Sequence, residues 1–173
     1  MLQQNKTKLM RFFFEEPTRR FHIRELARMS GIAHTSVKNY LQELVLEKLI
    51  IKVKSPLYAA FIANEENRMY RLHKQQDMVF QIYSSDLVDF LEDSLQPRCI
   101  ILFGSVRKGE YNKTSDIDLF IQAREQKIDL SKFKKKLQHP ISLFFEEDVH
   151  KLSNELFNNI VNGIKLTGYL KLR

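Results

Sequence analysis

The chain has little of several residue types, and each shortage excludes a class of protein. Its 173 residues include one cysteine, Cys99, so no internal disulfide can form and no cysteine-rich zinc site is indicated. The five histidines are scattered without the spacing of metal ligands. No apolar run is long enough to cross a membrane, and the first residues lack the hydrophobic segment of a secretory signal. We therefore expect a cytoplasmic protein with no membrane partner.

The residues that are present suit a globular chain with a basic N-terminal third. A chain of 173 residues is long enough for one sizeable domain or two small ones, and 43% hydrophobic with 28% charged residues is ordinary for a globular protein. The net charge is +7, and residues 1–64 hold 11 Lys and Arg against five Glu. That segment therefore carries +6, and the remainder carries about +1. A basic segment suits a nucleic acid or nucleotide partner.

An apolar run over Cys99–Phe103 predicts a short buried strand that ends in a Gly-Ser turn. Because Gly104 has no side chain, the backbone there can approach a ligand closely. Its N–H groups and the Ser105 hydroxyl can hold phosphate oxygens, and Lys108 and a second glycine, Gly109, follow. The turn is therefore a candidate phosphate site.

Two carboxylates follow on the next predicted strand, Asp116–Ile121. Since side chains alternate along a strand, Asp116 and Asp118 point to the same face and repel each other unless a cation lies between them. Carboxylate oxygens beside phosphates favour Mg²⁺, with Mn²⁺ as the alternative. The pattern predicts a nucleotide bound together with a divalent cation.

The segment from Gly104 to Leu119 resembles the signature of the minimal nucleotidyltransferases, small members of the polymerase-β superfamily. The resemblance implies a mixed sheet with flanking helices, an NTP as substrate or ligand, and Mg²⁺-dependent transfer of a nucleoside monophosphate to a hydroxyl of a protein, nucleic acid or small molecule. It makes Asp116 and Asp118 the catalytic and metal-binding residues. The nucleotide-binding residues that it implies are Gly104, Ser105, Lys108, Gly109 and Ser115.

One departure from that family's pattern lies on a third predicted strand, Ile141–Phe145. The family places a third carboxylate there, which activates the attacking hydroxyl, and the aligned position is Ser142. A serine cannot act as that base, and Glu146, on the same face, lies about 13 Å further along. Two hypotheses follow: an active transferase, or a domain that senses a nucleotide or binds a protein partner without turnover.

The N-terminal third has the outline of a helix-turn-helix. A first helix ends at Pro17, and Phe21–Ile23 is predicted to be extended. A second helix is predicted at Arg24–Ser30, Gly31 makes the turn, and a third helix begins near Thr35. This third helix has the position of a recognition helix.

A β-hairpin is predicted directly after it, with strands at 49–54 and 57–62 and a turn at Ser55-Pro56. Helix and hairpin together resemble a winged-helix DNA-binding domain, although winged helices also bind proteins. The resemblance implies double-stranded DNA as partner and a homodimer that reads two half-sites. The candidate DNA-binding residues are His34, Thr35, Ser36, Lys38, Asn39, Gln42, Lys52 and Lys54.

The remaining segments are predicted to be mostly helical. Residues 64–96 indicate a long connecting helix and a second helix, and 126–138 indicates a basic helix that is either a solvated face or a nucleic-acid groove. A last helix is predicted within Lys151–Leu170, with Ile164 on its apolar face and with Gly163 and Gly168 ending it before a short apolar tail. Its end, at 162–166, resembles the tails of archaeal-type proteins that fuse a winged helix to this transferase domain.

The prediction for the whole chain is an α+β protein. It consists of a winged helix-turn-helix over 1–64, a linker helix over 65–83 and a polymerase-β-like nucleotidyltransferase domain over 84–173.

Overall fold

The computed structural model describes residues 2–54 and 58–170, and the chain divides into two compact units, Met1–Lys74 and Gln75–Arg173. Helices and sheets occur in both units, so the predicted α+β class is confirmed. The division lies within the segment predicted as a linker helix. The predicted turn at Ser55-Pro56 lies outside the described residues. No helix in the described part of the chain is long and apolar enough to cross a membrane.

Three helices form most of the first unit: α1 at Leu2–Glu15, α2 at Ile23–Ser30 and α3 at His34–Leu46. Gly31 ends α2 with φ of 70°, a left-handed conformation that costs glycine little, and its N–H donates to the Ala27 carbonyl at 2.9 Å. The helices pack through fully buried side chains, which include Leu9, Phe13, Leu26, Val37, Leu41 and Leu44.

A small antiparallel sheet completes this unit. Its strands are β1 at Phe21–His22, β2 at Ile50–Val53 and β3 at Ala60–Ala63, in the order β1-β3-β2. The pairing of β2 with β3 is the predicted hairpin. Its strands lie directly after α3 in the chain, as the sequence pattern indicates.

The second unit is built on a four-stranded mixed sheet. Its strands are β4 at Cys99–Phe103, β5 at Ile117–Ile121, β6 at Ile141–Phe145 and β7 at Ile164–Gly168, in the order β6-β5-β4-β7. β4 runs antiparallel to β5 and β7, and β5 runs parallel to β6. The predicted bounds of β4 and β6 are confirmed.

Helices flank this sheet. They are α4 at Arg68–Ser84, which contains the division between the units, α5 at Leu87–Leu95, α6 at Gly104–Lys108, α7 at Ser131–Leu137 and α8 at Asn154–Val161, with a 3₁₀ turn at Val149–Lys151. One face of the sheet carries Cys99, Ile101, Phe103 and Phe120, which pack against Val149 and Ile160.

The predicted C-terminal helix is wrong beyond Val161. Ile164 begins the strand β7, which pairs with β4, and so it does not continue the helix. Gly163 makes the change of direction at a place where an added Cβ would lie 2.8 Å from the Leu102 carbonyl oxygen and 2.9 Å from that of Ile160. The apolar spacing fits a helix, but pairing with the free edge of β4 decides the outcome.

The basic helix is shorter than predicted. α7 begins at Ser131, five residues after Gln126. The Asp129 carboxylate accepts a hydrogen bond from the Ser131 N–H at 2.9 Å and another from its hydroxyl at 2.5 Å. Asp129 lies one residue before the N-cap, Leu130, and its carboxylate gives the first N–H of the helix a partner that the helix itself does not supply.

Candidate functional site

Three strands bring the predicted site residues to one end of the second sheet. In the register of β4 with β5, Phe103 pairs with Asp118, and in that of β5 with β6, Asp118 pairs with Ser142. Gly104 follows Phe103 directly. The glycine turn, the second aspartate and the serine therefore lie side by side.

Gly104 is in contact with the Asp118 carboxylate. Its φ is 71°, in the left-handed region, and a Cβ built on it would lie 3.1 Å from Cγ of Asp118 and 3.3 Å from its Cβ, with a carboxylate oxygen closer still. Both the backbone conformation and the space require glycine. The candidate phosphate turn and the candidate metal ligand are thus packed against each other.

The turn continues into the short helix α6, which ends at Gly109 with φ of 69°. The first N–H groups of any helix have no partner within it, so those at the start of α6 are free of helical hydrogen bonds. Ser105 is half-buried, and its carbonyl accepts the Glu110 N–H at 3.0 Å. Lys108 is exposed at the far end of α6, and the Arg107 carbonyl accepts a hydrogen bond from the Gln75 side chain.

The two aspartates differ in exposure. Asp116 precedes β5 and is exposed, whereas Asp118 lies in β5 and is half-buried. Burial raises the pKa of Asp118 above its usual value, and the negative charge of Asp116 raises it further. A cation between the two carboxylates would oppose both effects, so the pair suits a divalent metal.

Ser142 occupies the position where the family resemblance predicts a third carboxylate. Its hydroxyl donates to the Asp116 carboxylate at 2.9 Å. Glu146 lies beyond the end of β6, where its carboxylate accepts the Asp148 N–H at 3.0 Å. In residues 2–54 and 58–170, no three His, Cys, Asp or Glu side chains converge as metal ligands.

The hydrogen bond of Ser142 is a feature that sequence reasoning missed. The aligned position was found, but the contact with Asp116 depends on the parallel register of β5 and β6 and on the rotamers of both side chains. A polar residue in an otherwise apolar strand was the signal in the sequence.

Ser115 lies in a tight turn that leads into Asp116. Its hydroxyl accepts the Asn112 N–H at 2.9 Å, and its carbonyl accepts a hydrogen bond from His139 Nδ1 at 2.9 Å. Asn112 in turn accepts the Thr114 N–H at 2.9 Å. These bonds hold the backbone immediately before the aspartate pair.

The candidate DNA-binding residues lie in the first unit. The buried side of α3 consists of Val37, Tyr40, Leu41 and Leu44. None of these is a candidate for DNA binding. Of the candidates on α3, Ser36 is half-buried, and the exposed ones are His34, Thr35, Lys38, Asn39 and Gln42. Lys52 on β2 and Lys54 just after it are exposed as well.

Comparison with known proteins gives one match. Residues 85–168 match the family model described as Polymerase beta, Nucleotidyltransferase, a range that includes the glycine turn, both aspartates and Ser142. No curated protein and no solved structure matched the chain. The segment 85–168 is therefore similar to the nucleotidyltransferase domain of the polymerase-β family.

Proposed function

We propose that the chain is a Mg²⁺-dependent nucleotidyltransferase joined to a DNA-binding unit. It would transfer a nucleoside monophosphate from an NTP to a hydroxyl acceptor. The observation that carries this proposal is the contact between Gly104 and the Asp118 carboxylate, because a turn suited to phosphate then lies directly beside a carboxylate suited to a hard cation. The similarity of residues 85–168 to nucleotidyltransferases supports it.

The site residues form two groups, one that would bind the phosphates and one that would bind the cation. Backbone N–H groups at Gly104 and Ser105, with the Ser105 hydroxyl, would hold phosphate oxygens. Asp116 and Asp118 would hold Mg²⁺ or Mn²⁺ together with those oxygens and water, a ligand set that hard cations prefer. Such a cation, when bound, stabilises charge on the phosphates.

The transfer itself is a displacement at phosphorus. The acceptor oxygen forms a bond to the α-phosphorus, the bond from that phosphorus to the bridging oxygen breaks, and pyrophosphate leaves. The proton of the acceptor hydroxyl passes to solvent, since Ser142 is no base and Glu146 lies beyond the end of the strand. We therefore expect a slow transfer.

The test is incubation with α-labelled NTP and Mg²⁺ in the presence of DNA and small hydroxyl compounds, with the protein as a further acceptor. Wild-type protein is compared with Asp116→Asn/Asp118→Asn and with Ser142→Asp. We expect label in the wild type, none above background in the double variant, and about 100-fold faster labelling in Ser142→Asp, the lower end of what a general base contributes. Equal background label in all three proteins would contradict the proposal.

A second function is favoured by the hydrogen bond from Ser142 to Asp116. A serine that holds one metal ligand, without a third carboxylate, suits a domain that binds an NTP without turnover. In that case the chain is a DNA-binding transcriptional regulator whose second unit senses a nucleotide or binds a protein partner. Saturable NTP binding without any labelled acceptor, together with an NTP-dependent change in DNA affinity, would favour this function.

DNA binding by the first unit is part of both proposals. The order α2, turn, α3 and hairpin is the order of elements in winged-helix proteins, and α3 has an exposed polar face suited to base edges and phosphates. We propose double-stranded DNA as the partner, a homodimer on two half-sites, and a location in the cytoplasm. The archaeal-type fusion belongs to the same proposal.

A further inference from the structure

An exposed aromatic ring lies two residues beyond Ser142 on the edge strand β6. Phe144 is 42% exposed, whereas Phe120, its partner on β5, is fully buried. Because side chains alternate along a strand, Phe144 lies on the same face as Ser142 and, across the register, as Asp118. A large apolar side chain is therefore left open on the face that carries the candidate site.

The Phe144 ring is held in place by the residue that precedes the glycine turn. The ring centroids of Phe103 and Phe144 lie 5.4 Å apart, with the planes at 68°. Such an edge-to-face pair orients both rings. Phe103 is 7% exposed, so it supports the Phe144 ring from within the core.

We propose that Phe144 is the stacking platform for the base of the nucleotide whose phosphates bind at Gly104 and Ser105, an inference that rests on the proposed nucleotide site. Two residues of strand span about 7 Å. In an NTP the ribose separates the base from the phosphates, so a ligand anchored at the turn can place its base further along this face.

Stacking on an aromatic ring tolerates every base, since each base has a π-face. The proposal therefore includes weak base preference. We expect ATP, GTP, CTP and UTP to bind with dissociation constants within about tenfold of one another, because stacking strength alone distinguishes them.

The experiment is calorimetric titration with ATP and, separately, with inorganic tripolyphosphate, both with Mg²⁺. Phe144→Ala and Phe144→Leu are expected to weaken ATP binding about 5- to 100-fold, the range found when a stacking ring is removed. Tripolyphosphate has no base, so its affinity stays unchanged. Phe144→Tyr keeps a π-face and retains ATP affinity.

Two controls protect this test. Phe144→Leu keeps an apolar side chain against Phe103, so a thermal melt like that of the wild type separates lost stacking from lost folding. Tyr169→Ala removes another aromatic ring, which is 64% exposed. The backbone N–H of Tyr169 donates to the Arg98 carbonyl, at the opposite end of β4 from Gly104. It is expected to bind ATP like the wild type.

The outcomes distinguish the stacking proposal from the nucleotide site on which it rests. Unchanged ATP affinity in Phe144→Leu, or equal loss of ATP and tripolyphosphate affinity, overturns the stacking role while the nucleotide site stands. If wild-type protein binds neither ligand, the proposed nucleotide site is wrong, and the stacking role falls with it.

Discussion

At the scale of single residues, Gly104 and Gly31 form a natural pair for testing the site. Both have φ near 70°, but a Cβ at Gly31 would meet nothing within 4 Å, whereas one at Gly104 meets Asp118. We expect Gly31→Ala to cost about 1–2 kcal/mol, the price of a left-handed alanine. Gly104→Ala should cost about 1–3 kcal/mol more, because of overpacking, and should abolish ATP binding.

Chemical denaturation and calorimetry measure both effects. The double variant Gly104→Ala/Asp118→Ala is the decisive control, because removal of the carboxylate relieves the clash and should recover most of the additional cost. Equal destabilisation by the two alanine substitutions would show that the contact with Asp118 carries no free energy.

The raised pKa of Asp118 predicts how stability depends on pH. The pKa of Asp118 in the unfolded chain is near 3.9. Burial, and secondly the negative charge of Asp116, raise the pKa of Asp118 above that value in the folded protein. The resulting stabilisation is fully present below the unfolded pKa and is lost as pH rises through the folded pKa. Asp118→Asn should therefore be more stable than the wild type at pH 7, with an advantage that disappears toward pH 3.5.

The measurement is urea denaturation between pH 3.5 and pH 7. Asp129→Asn is the control of opposite sign, because hydrogen bonds from the Ser131 hydroxyl and N–H lower the pKa of Asp129. The stabilisation from Asp129 is present above the unfolded pKa and is lost as pH falls through the folded pKa. Parallel pH curves for wild type and Asp118→Asn would contradict the burial of this carboxylate. Mg²⁺ should stabilise the wild type but not Asp118→Asn.

At the scale of elements, the sequence predicts those parts that local pattern determines. A continuous apolar run ended by Gly104 gives the bounds of β4, and a mostly apolar run ended by Glu146 gives those of β6. Gly31 gives the end of α2. β7 could not be predicted in this way, because Ile164 continues the helical spacing of Leu156 and Ile160. Only pairing with β4, a contact between distant segments, makes this stretch a strand.

In the candidate site, too, local motifs can be predicted and contacts between distant segments cannot. The glycine turn and the aspartate pair are visible in the sequence because they are local motifs. The packing of Gly104 against Asp118 and the hydrogen bond of Ser142 to Asp116 depend on the register of three strands. No pattern within one strand contains that register.

The docking of β7 leads to a prediction at Gly163. Two carbonyl oxygens, of Leu102 and Ile160, lie within 3.0 Å of a Cβ placed there, and backbone atoms cannot move aside as a side chain can. Gly163→Ala should lower the free energy of unfolding by about 1–3 kcal/mol. Asn159→Ala, at an exposed position on the preceding helix α8, should stay within about 0.5 kcal/mol of the wild type. Denaturant titration measures both, and similar values for the two variants would mean that β7 does not need this close approach.

At the scale of the whole molecule, the net positive charge belongs to the first unit. Met1–Lys74 holds 14 Lys and Arg against 7 Asp and Glu, a net +7, whereas Gln75–Arg173 holds 14 of each and is neutral. A nucleotide bound by the neutral unit would depend on local groups and on a cation. A polyanion such as DNA would, by contrast, be attracted by the summed charge of the first unit.

That asymmetry predicts which unit produces the salt dependence of DNA binding. Neutralised phosphates release counterions, so affinity for a duplex from the protein's own upstream region should fall steeply with salt. Lys38→Ala and Lys52→Ala should each reduce the slope of log K against log salt by about 1. Lys165→Ala removes the same charge from an exposed position on β7 and should leave the slope unchanged. Anisotropy titrations from 50 to about 200 mM salt measure this slope. An equal loss of slope in all three variants would mean that the net charge of the whole molecule, and not contacts from α3 and the hairpin, produces the salt dependence. Binding that does not change with salt would contradict phosphate contact altogether.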